Sequence, residues 1–300
     1  MRWIERLIAL RYGISEDAVL NAEAGTSPPE RGPDPQRLAE LLGHLKVRAA
    51  SRHSYDLDYG EAAGSEEYRA YRRYAADLRF FDPGTLANRE DQLAFWINLY
   101  NGLILDAVVQ WRVQRSVRDA PGFFWRAAYI VGGHRFSAND IENGILRANA
   151  PHPAIPGAPF RASDPRRALS LTRLDPRVHF ALVCASRSCP PVAVYSSDRI
   201  DEQLDQATRS FIRGGGVELH ASVARVRLSR IFQWYAPDFG GNWLGIGDKR
   251  PILRFIAEYL PPIEAGIIQR PWPWDVTFSE YDWSLNGLWP GMVGHAVGNS

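Results

Sequence analysis

Both cysteines of the 300-residue chain lie in the stretch HFALVCASRSCPP, residues 179–191, together with a histidine and an arginine. The thiolate is the reactive form of cysteine, and it needs a cationic or dipolar neighbour to exist near neutral pH. Arg187 lies between the two thiols, and His179 precedes them. The stretch could therefore form a reactive centre, a redox couple, a metal clip or a pair of small buried side chains.

Cys189 is the better candidate nucleophile of the two. If residues 178–184 form a strand, His179 and Cys184 are about 16 Å apart and point to opposite faces, so they cannot form a dyad directly. Cys189 follows a short turn and can fold back to His179, or to His134 of a neighbouring hairpin. We therefore predict that Cys189 reacts and that Cys184 packs at the strand end.

The remaining roles for the two thiols differ in how well the spacing suits them. C-x4-C is wider than a zinc knuckle, and no second Cys or His pair completes four ligands, so we predict no metal and no other cofactor. A disulfide that closes so short a loop would contribute only about 2 kcal/mol to stability, which leaves a switchable redox pair open. Free cysteine also packs well as a small hydrophobe. The residues between the thiols, Ser186 to Ser188, are polar, which supports the reactive interpretation. The reactive and the packing interpretations are therefore about equally favoured.

A long apolar segment, REDQLAFWINLYNGLILDAVVQW, predicts a buried central helix over residues 89–111. Asn98 and Asn101 lie three apart on one face of this helix. A buried amide that lacks hydrogen bonds costs about 1–3 kcal/mol. The two amides therefore either tie neighbouring loops together or line a site, and both interpretations stay open.

The pattern changes from helical to extended after residue 123. WRAAYIVGGHRFS predicts a hairpin that turns at Gly132 and Gly133. Ser137 and Asp140 then predict the capped start of a helix that carries Glu142. The short apolar run RVHFALVC, residues 177–184, predicts a buried strand.

Helices and hairpins segregate along the chain instead of alternating as strand–helix–strand units. This order favours an α+β fold, a helix-rich single domain with a small, mostly antiparallel sheet, for which a papain- or transglutaminase-like arrangement is one form. Residues 1–34 are predicted as an N-terminal helical segment and linker, residues 35–287 as the domain, and residues 288–300 as a flexible Gly-rich tail.

The composition gives little reason to expect a polyanionic partner or a membrane. The formal net charge is +1, so we predict no nucleic-acid partner. No apolar run approaches the roughly 20 residues of a membrane span, and the opening MRWIERLIALRYGI lacks the features of a signal peptide. Two cysteines are not a secreted disulfide framework, and we expect a cytoplasmic protein.

Five motifs resemble a known family when they are taken in order. They are AFWINLYNGL, NDIENGILR, DPRVHFALVCASRSCPP, LSRIFQWYAPDF and YDWSLN. From about Ser65 to Asn286 the chain resembles the domain of unknown function 547 family, which occurs in bacteria and plants, sometimes beside a coiled coil or a glutaredoxin-like domain. No reaction is assigned to the family, so the resemblance implies positions and not an activity.

The resemblance implies which polar positions recur in the family. They correspond here to Asn98, Asn101, Glu142, His179, Cys184, Cys189 and Asp282. Many relatives have histidine where this chain has Asn143. If that histidine is a base in those relatives, His179 must take the role here.

We predict a thiol-dependent enzyme, an acyl or amide hydrolase or transferase with a small-molecule or peptide substrate. Cys189 would attack, His179 would accept its proton, Glu142 or an Asn would orient the imidazole, and a backbone N–H near the cysteines would hold the oxyanion. The residues predicted to bind substrate are Asn98, Asn101, Cys184, Arg187 and Asp282.

Two alternatives belong to other functional classes. In a non-catalytic module the polar motifs form a buried network, and tryptophans bind a protein partner; the candidates are Trp272, Trp274, Trp283 and Trp289. In a thiol–disulfide sensor both Cys184 and Cys189 are essential, and their Cα atoms lie within about 7 Å.

Overall fold

The computed structural model describes residues 7, 10, 19–22, 29, 32–50 and 57–289. Most of the predicted N-terminal segment, and the predicted tail after residue 289, lie outside these residues. Leu288, the first residue of that predicted tail, is described and lies with Gly287 in the short strand Gly287–Leu288.

The described part of the chain is rich in helix. Its α-helices are α1 (Pro35–Ala49), α2 (Tyr59–Gly64), α3 (Glu66–Asp77), α4 (Arg89–Gln110), α5 (Phe123–Arg126), α6 (Ile200–Phe211), α7 (Arg230–Trp234), α8 (Arg250–Ala257) and α9 (Pro262–Ile268). Its strands are β1 (Leu57–Asp58), β2 (Ala128–Val131), β3 (His134–Ser137), β4 (Val217–His220), β5 (Arg225–Leu228), β6 (Asp275–Phe278) and β7 (Gly287–Leu288). Two π-helices (Asp140–Leu146 and Ile212–Gly216) and 3-10 helices such as Pro176–Phe180 connect them. The predicted helix-rich α+β class is confirmed.

The strands form three small sheets instead of the one sheet that we predicted. Strands β2 and β3 pair antiparallel, β4 pairs antiparallel with β5, β5 pairs parallel with β6, and β1 pairs parallel with β7. Two of the four strand pairings in the described chain are antiparallel, and the three isolated bridges there are antiparallel as well. Both parallel partners, β6 and β7, come from the C-terminal part of the chain, which returns to strands formed much earlier.

Helix α4 is the central element, as its all-round apolar sequence predicts. It begins after Asn88, whose side chain accepts a hydrogen bond from the Asp91 amide, and it is buried from Leu93 to Val108. By length and composition this helix could cross a membrane, but nearly all of it is buried inside the protein.

The hairpin and the capped helix after it are confirmed. Gly132 and Gly133 have φ values of 55° and 78° in the β2–β3 turn. The Asp140 amide donates to Ser137 Oγ at 3.1 Å, and Ser137 N donates back to the Asp140 carboxylate at 2.9 Å. The helix that follows is a π-helix, in which the Arg147 amide donates to the Glu142 carbonyl five residues earlier. Such turns are rare and often occur at functional sites.

The predicted strand at residues 177–184 is wrong. Pro176–Phe180 is a 3-10 helix that begins after Asp175, whose side chain accepts a hydrogen bond from the Arg177 amide. Asp followed by Pro is a helix start, because Asp caps the first turn and Pro fits its first position. This local signal prevails over the apolar run, which is buried without being extended.

The described chain has two hydrophobic cores. The larger core surrounds α4, and the smaller one gathers α7, α8, β5 and the neighbouring turns. The 3-10 helix joins them, because Val178 and Ala181 pack in the larger core and Phe180 packs in the smaller. His179 therefore lies where the two cores meet.

Candidate functional site

A cavity of about 330 Å³ opens between the two cores. His179, Cys184, Cys189 and Glu142 all line it. The absence of a strand explains why His179 and Cys184 share a cavity, since the opposite-face argument applies only to an extended chain. Three of the four residues are therefore those to which we assigned catalytic roles.

His179 is held by a carboxylate that is distant in sequence. Its Nε2 lies 2.7 Å from Asp238 Oδ2, and its imidazole is almost completely buried. Arg147 donates to both oxygens of Asp238, at 2.6 and 2.8 Å. Burial raises the pKa of Asp238, but the hydrogen bonds from His179 and Arg147 outweigh burial and lower it to about 2.

This pairing fixes the tautomer of the imidazole. An ionised carboxylate can only accept, so Nε2 of His179 carries the proton and Nδ1 is the basic nitrogen. Within the described residues Nδ1 has no hydrogen-bond partner. The ring also stacks on Tyr235 with centroids 3.9 Å apart, which fixes its plane.

Glu142 binds two tyrosines and not the imidazole. Its carboxylate accepts a short hydrogen bond from the Tyr235 hydroxyl and another from the Tyr100 hydroxyl at 3.2 Å. The orienting role that we predicted for Glu142 or an asparagine is therefore filled by Asp238. Glu142 instead lies in the cavity wall and supports Tyr235, on which the imidazole stacks.

The two thiols are free, and their environments differ. Cys184 Sγ lies 3.0 Å from Ser186 Oγ and 3.1 Å from the Tyr281 hydroxyl. Burial raises the pKa of the Cys184 thiol, but hydrogen bonds from Cys189, Ser186 and Tyr281 outweigh burial and lower that pKa to about 7. Cys184 is therefore a thiol with a substantial thiolate fraction near neutral pH.

Cys189 has the opposite tendency. Its Sγ lies 3.6 Å from the Leu182 carbonyl, to which a thiol can donate, and it accepts from the Cys184 amide at 2.8 Å. Burial, together with the hydrogen bond and the negative charge of Cys184, raises the pKa of Cys189 well above its ordinary value. The electrostatics thus reverse the order in which we ranked the two thiols from sequence.

The loop between the thiols is held by the C-terminal segment. The Arg187 amide donates to the Ser284 carbonyl at 2.9 Å, and the Asp282 amide donates to Ser188 Oγ at 2.8 Å. Ala185 is buried in a left-handed conformation with φ of 57°. Strained backbone of this kind is maintained only where the surroundings enforce it, and it clusters at functional sites.

Asn98 and Asn101 tie loops to α4. Asn98 exchanges two hydrogen bonds with the backbone of Tyr195, at 2.7 and 2.9 Å. Asn101 binds the Ala181 carbonyl and the Val183 amide, both at 3.0 Å. Neither side chain lines the cavity. Of the two interpretations that the sequence left open, the structure places both amides in the loop-tying position.

The other predicted positions lie around the site and not in it. Arg187 lines a larger neighbouring cavity of about 620 Å³, and Cys189 and Tyr281 line both cavities. Asp282 is exposed and accepts from the Ser284 amide at 2.9 Å, which shapes the C-terminal segment. His134, the alternative base, is exposed at the start of β3 and does not line the cavity.

Sequence reasoning missed Asp238, Arg147 and Tyr281. Asp238 lies in the motif LSRIFQWYAPDF and Arg147 ends NDIENGILR, so motif membership was the available signal. Tyr281 directly precedes Asp282 in the motif YDWSLN. Asn143 accepts from Arg147 at 2.6 Å and so supports the same arginine. Among the described residues, no group of three or more His, Cys, Asp or Glu side chains could hold a metal ion.

The fold and the site define a helix-rich α+β protein in which a thiol pair and a His–Asp pair line one cavity. Residues 84–212 match the family model described as a protein of unknown function, DUF547. The predicted resemblance to this family is confirmed over these residues. The matched residues include both cysteines, His179 and Glu142, but they are a shorter stretch than the Ser65–Asn286 expected from the motifs. No curated protein and no solved structure matches the chain.

Proposed function

We propose that this protein is a thiol-dependent enzyme that transfers or hydrolyses acyl groups of esters or amides. The observation that carries this proposal is the cavity that a buried His179–Asp238 pair shares with Cys184, a thiol whose pKa is lowered to about 7. A low-pKa thiol and an oriented imidazole are the two groups that nucleophilic catalysis by cysteine needs.

The reaction assigns Cys184, not Cys189, as the nucleophile. The Cys184 thiolate attacks the carbonyl carbon, an acyl–sulfur bond forms, and the carbon–nitrogen or carbon–oxygen bond breaks. Before this attack the Cys184 thiol gives its proton to Nδ1 of His179, and the leaving amine or alcohol then takes that proton from Nδ1, which leaves the imidazole neutral. Water or an acceptor amine then attacks the thioester, gives its proton to Nδ1 of His179, and restores the thiolate.

A burst experiment with p-nitrophenyl acetate tests the proposal. We expect one equivalent of p-nitrophenolate to be released rapidly per protein, with the acetyl group found on Cys184 by peptide mass spectrometry. Cys184→Ala should abolish the burst, His179→Ala should slow it at least tenfold, and Cys189→Ala should retain it. Acetylation confined to other residues, or a burst that persists in Cys184→Ala, would refute the proposal.

A thiol–disulfide sensor is the second candidate, because the two free cysteines are in contact: the Cys184 amide donates to Cys189 Sγ at 2.8 Å. In that case both sulfurs are essential. A disulfide between Cys184 and Cys189 would then form on mild oxidation. Wild type would show no acylation burst.

The partner-binding alternative receives less support from the tryptophans. Trp283 lines the cavity, and Trp289 donates to the Val113 carbonyl at 2.7 Å and stacks on Tyr59. Trp272 and Trp274 form a tilted pair 5.3 Å apart in which Trp272 is exposed. The four tryptophans are thus divided between packing, the site and one exposed position.

A further inference from the structure

The walls of the smaller cavity are mostly aromatic. Seven aromatic side chains line it: Tyr100, Phe124, Trp125, Trp234, Tyr235, Tyr281 and Trp283. Aromatic faces attract cations as well as apolar groups, because the ring quadrupole is negative above the plane. The aromatic walls alone are therefore compatible with either a neutral apolar group or a cation.

The charged groups of the cavity distinguish these two possibilities. Glu142 is the one carboxylate among the described lining residues, and no Lys or Arg lines the cavity in the described chain. Within the described residues Glu142 makes no ion pair, and its carboxylate accepts hydrogen bonds from the Tyr100 and Tyr235 hydroxyls. A carboxylate has about four acceptor positions, so two remain for a ligand.

The nearest guanidinium is already engaged elsewhere. Arg147 binds both oxygens of Asp238, the Asn143 side chain and the Pro151 carbonyl. Its guanidinium contacts Asp238 directly and interacts with Glu142 only through space. His152 also lines the cavity, but burial lowers the pKa of its imidazole despite the charge of Glu142, so neither group forms an ion pair with that carboxylate. The thiolate form of Cys184 adds a second negative charge to the same cavity.

We infer that the smaller cavity binds a cationic group of the substrate, an alkylammonium, amidinium or guanidinium, with Glu142 as its counter-charge and the aromatic rings as its walls. This inference names the substrate class for the proposed function and rests on it for the reaction. Substrates of this class include basic peptide side chains and polyamines. An anionic substrate is disfavoured by the same charges.

A charge series of thiol reagents tests the inference at Cys184. The probes are methanethiosulfonates that carry an aminoethyl, a methyl or a sulfonatoethyl group. In each reaction the thiolate attacks the sulfenyl sulfur, a disulfide forms and methanesulfinate leaves. Rates at Cys184 are read by mass spectrometry and divided by the rates of a free thiol with each reagent.

We expect the aminoethyl reagent to exceed the neutral one by about tenfold in this normalised rate, and the sulfonatoethyl reagent to be slowest. Glu142→Gln should bring the first ratio close to one. The matched control is Glu280→Gln, an exposed carboxylate on the larger cavity, which should leave the ratio unchanged. Thermal melts establish that each variant is folded.

Binding of benzamidine, compared with neutral benzamide, tests the same subsite without the thiol chemistry. By calorimetry, benzamidine should bind wild type at least about tenfold more tightly than benzamide does, and Glu142→Gln should remove the difference. Equal binding of the two probes, or a preference that survives in Glu142→Gln, overturns the cation subsite. A reactive Cys184 without charge preference overturns this inference alone, whereas cation binding beside an inert Cys184 overturns the proposed reaction and leaves the subsite in place.

Discussion

At the scale of single residues, Asp238 determines how His179 can act. Its carboxylate binds Nε2 of His179 at 2.7 Å and so leaves Nδ1 as the basic nitrogen. Asp238 also neutralises Arg147, which would otherwise be a buried charge without a partner. A single carboxylate therefore both orients the His179 imidazole and balances the charge of Arg147.

The lowered pKa of Asp238 predicts how stability depends on pH. This pKa falls from 3.8 to about 2 on folding, so its stabilisation is complete above pH 3.8 and is lost as the pH falls through about 2. The difference corresponds to about 2 kcal/mol. In Asp238→Asn this contribution is absent, and the free energy of unfolding should fall less steeply than in wild type between pH 4 and pH 2.

Urea unfolding at several pH values measures this difference. Glu280→Gln is the control, because Glu280 is an exposed carboxylate outside the contacts of Asp238. Parallel pH profiles for wild type and Asp238→Asn would show that Asp238 is not held in the ionised state by His179 and Arg147.

The sequence indicated which residue types form the site but not all of its contacts. His179 and both cysteines were nominated because they lie within one short stretch. Asp238 is 59 residues from His179 and Tyr281 is 97 residues from Cys184, and nothing local connects these pairs. The ranking of the thiols from sequence assumed a strand at residues 177–184, whereas the pKa of Cys184 is lowered by hydrogen bonds from Cys189, Ser186 and Tyr281.

At the scale of secondary structure, α4 positions the site through Asn101. This side chain binds the Ala181 carbonyl and the Val183 amide, which lie between His179 and Cys184. In Asn101→Ala both backbone groups lose their partner inside the core, which should lower the free energy of unfolding by about 2–5 kcal/mol. Gln206→Ala, in an exposed position on α6, should change it by less than about 0.5 kcal/mol.

Hydrogen exchange at Val183 provides a local test of the same contact. Its amide should exchange much faster in Asn101→Ala than in wild type, while amides of the β4–β5 hairpin keep their rates. Unchanged exchange at Val183 would contradict the positioning role of Asn101.

The β2–β3 turn gives a matched pair of glycines. Both have positive φ, but a Cβ at Gly132 would lie 2.8 Å from the Phe81 carbonyl oxygen, whereas a Cβ at Gly133 meets nothing within 4 Å. Gly133→Ala should cost about 1–2 kcal/mol for the left-handed conformation alone. Gly132→Ala should cost clearly more in thermal or urea unfolding, and equal costs would contradict the close approach of the turn to Phe81.

Element prediction succeeded where local signals agreed. The all-round apolar pattern predicted α4, the Gly–Gly pair predicted the β2–β3 turn, and the Ser137–Asp140 pair predicted the helix start. It failed at RVHFALVC, where the Asp–Pro helix start competed with an apolar run. The π-helical form of residues 140–146 has no sequence signature that we could have used, since its hydrogen bonds depend on the tertiary packing of Glu142 and Arg147.

At the scale of the whole molecule, the C-terminal segment completes the site. It supplies Tyr281 and Trp283 to the cavity, and Leu285 is buried where the segment crosses the cysteine loop through the Ser186–Leu285 bridge. Leu285→Ala should therefore lower the free energy of unfolding by about 2–4 kcal/mol. Val223→Ala, at a position 64% exposed, is the control and should have little effect.

Leu285→Ala should also make both thiols more accessible, because the cysteine loop loses a contact with the C-terminal segment. A cavity confined to the site of Leu285 would leave the accessibility of the thiols unchanged. Labelling of both cysteines by iodoacetamide should become faster and less selective in Leu285→Ala under conditions where the protein is still folded. Unchanged selectivity would indicate that the loop is held without the C-terminal segment.

The most direct test of the central claim is the pH dependence of iodoacetamide labelling at each thiol, resolved by peptide mass spectrometry. In wild type we expect Cys184 to label with a midpoint near pH 7 and Cys189 only well above pH 9. Tyr281→Phe removes one donor to Cys184 and should raise that midpoint, whereas Ser210→Ala on α6 should not. If Cys189 labels first, or if neither thiol labels until the protein unfolds, Cys184 is not an activated nucleophile and the account is contradicted.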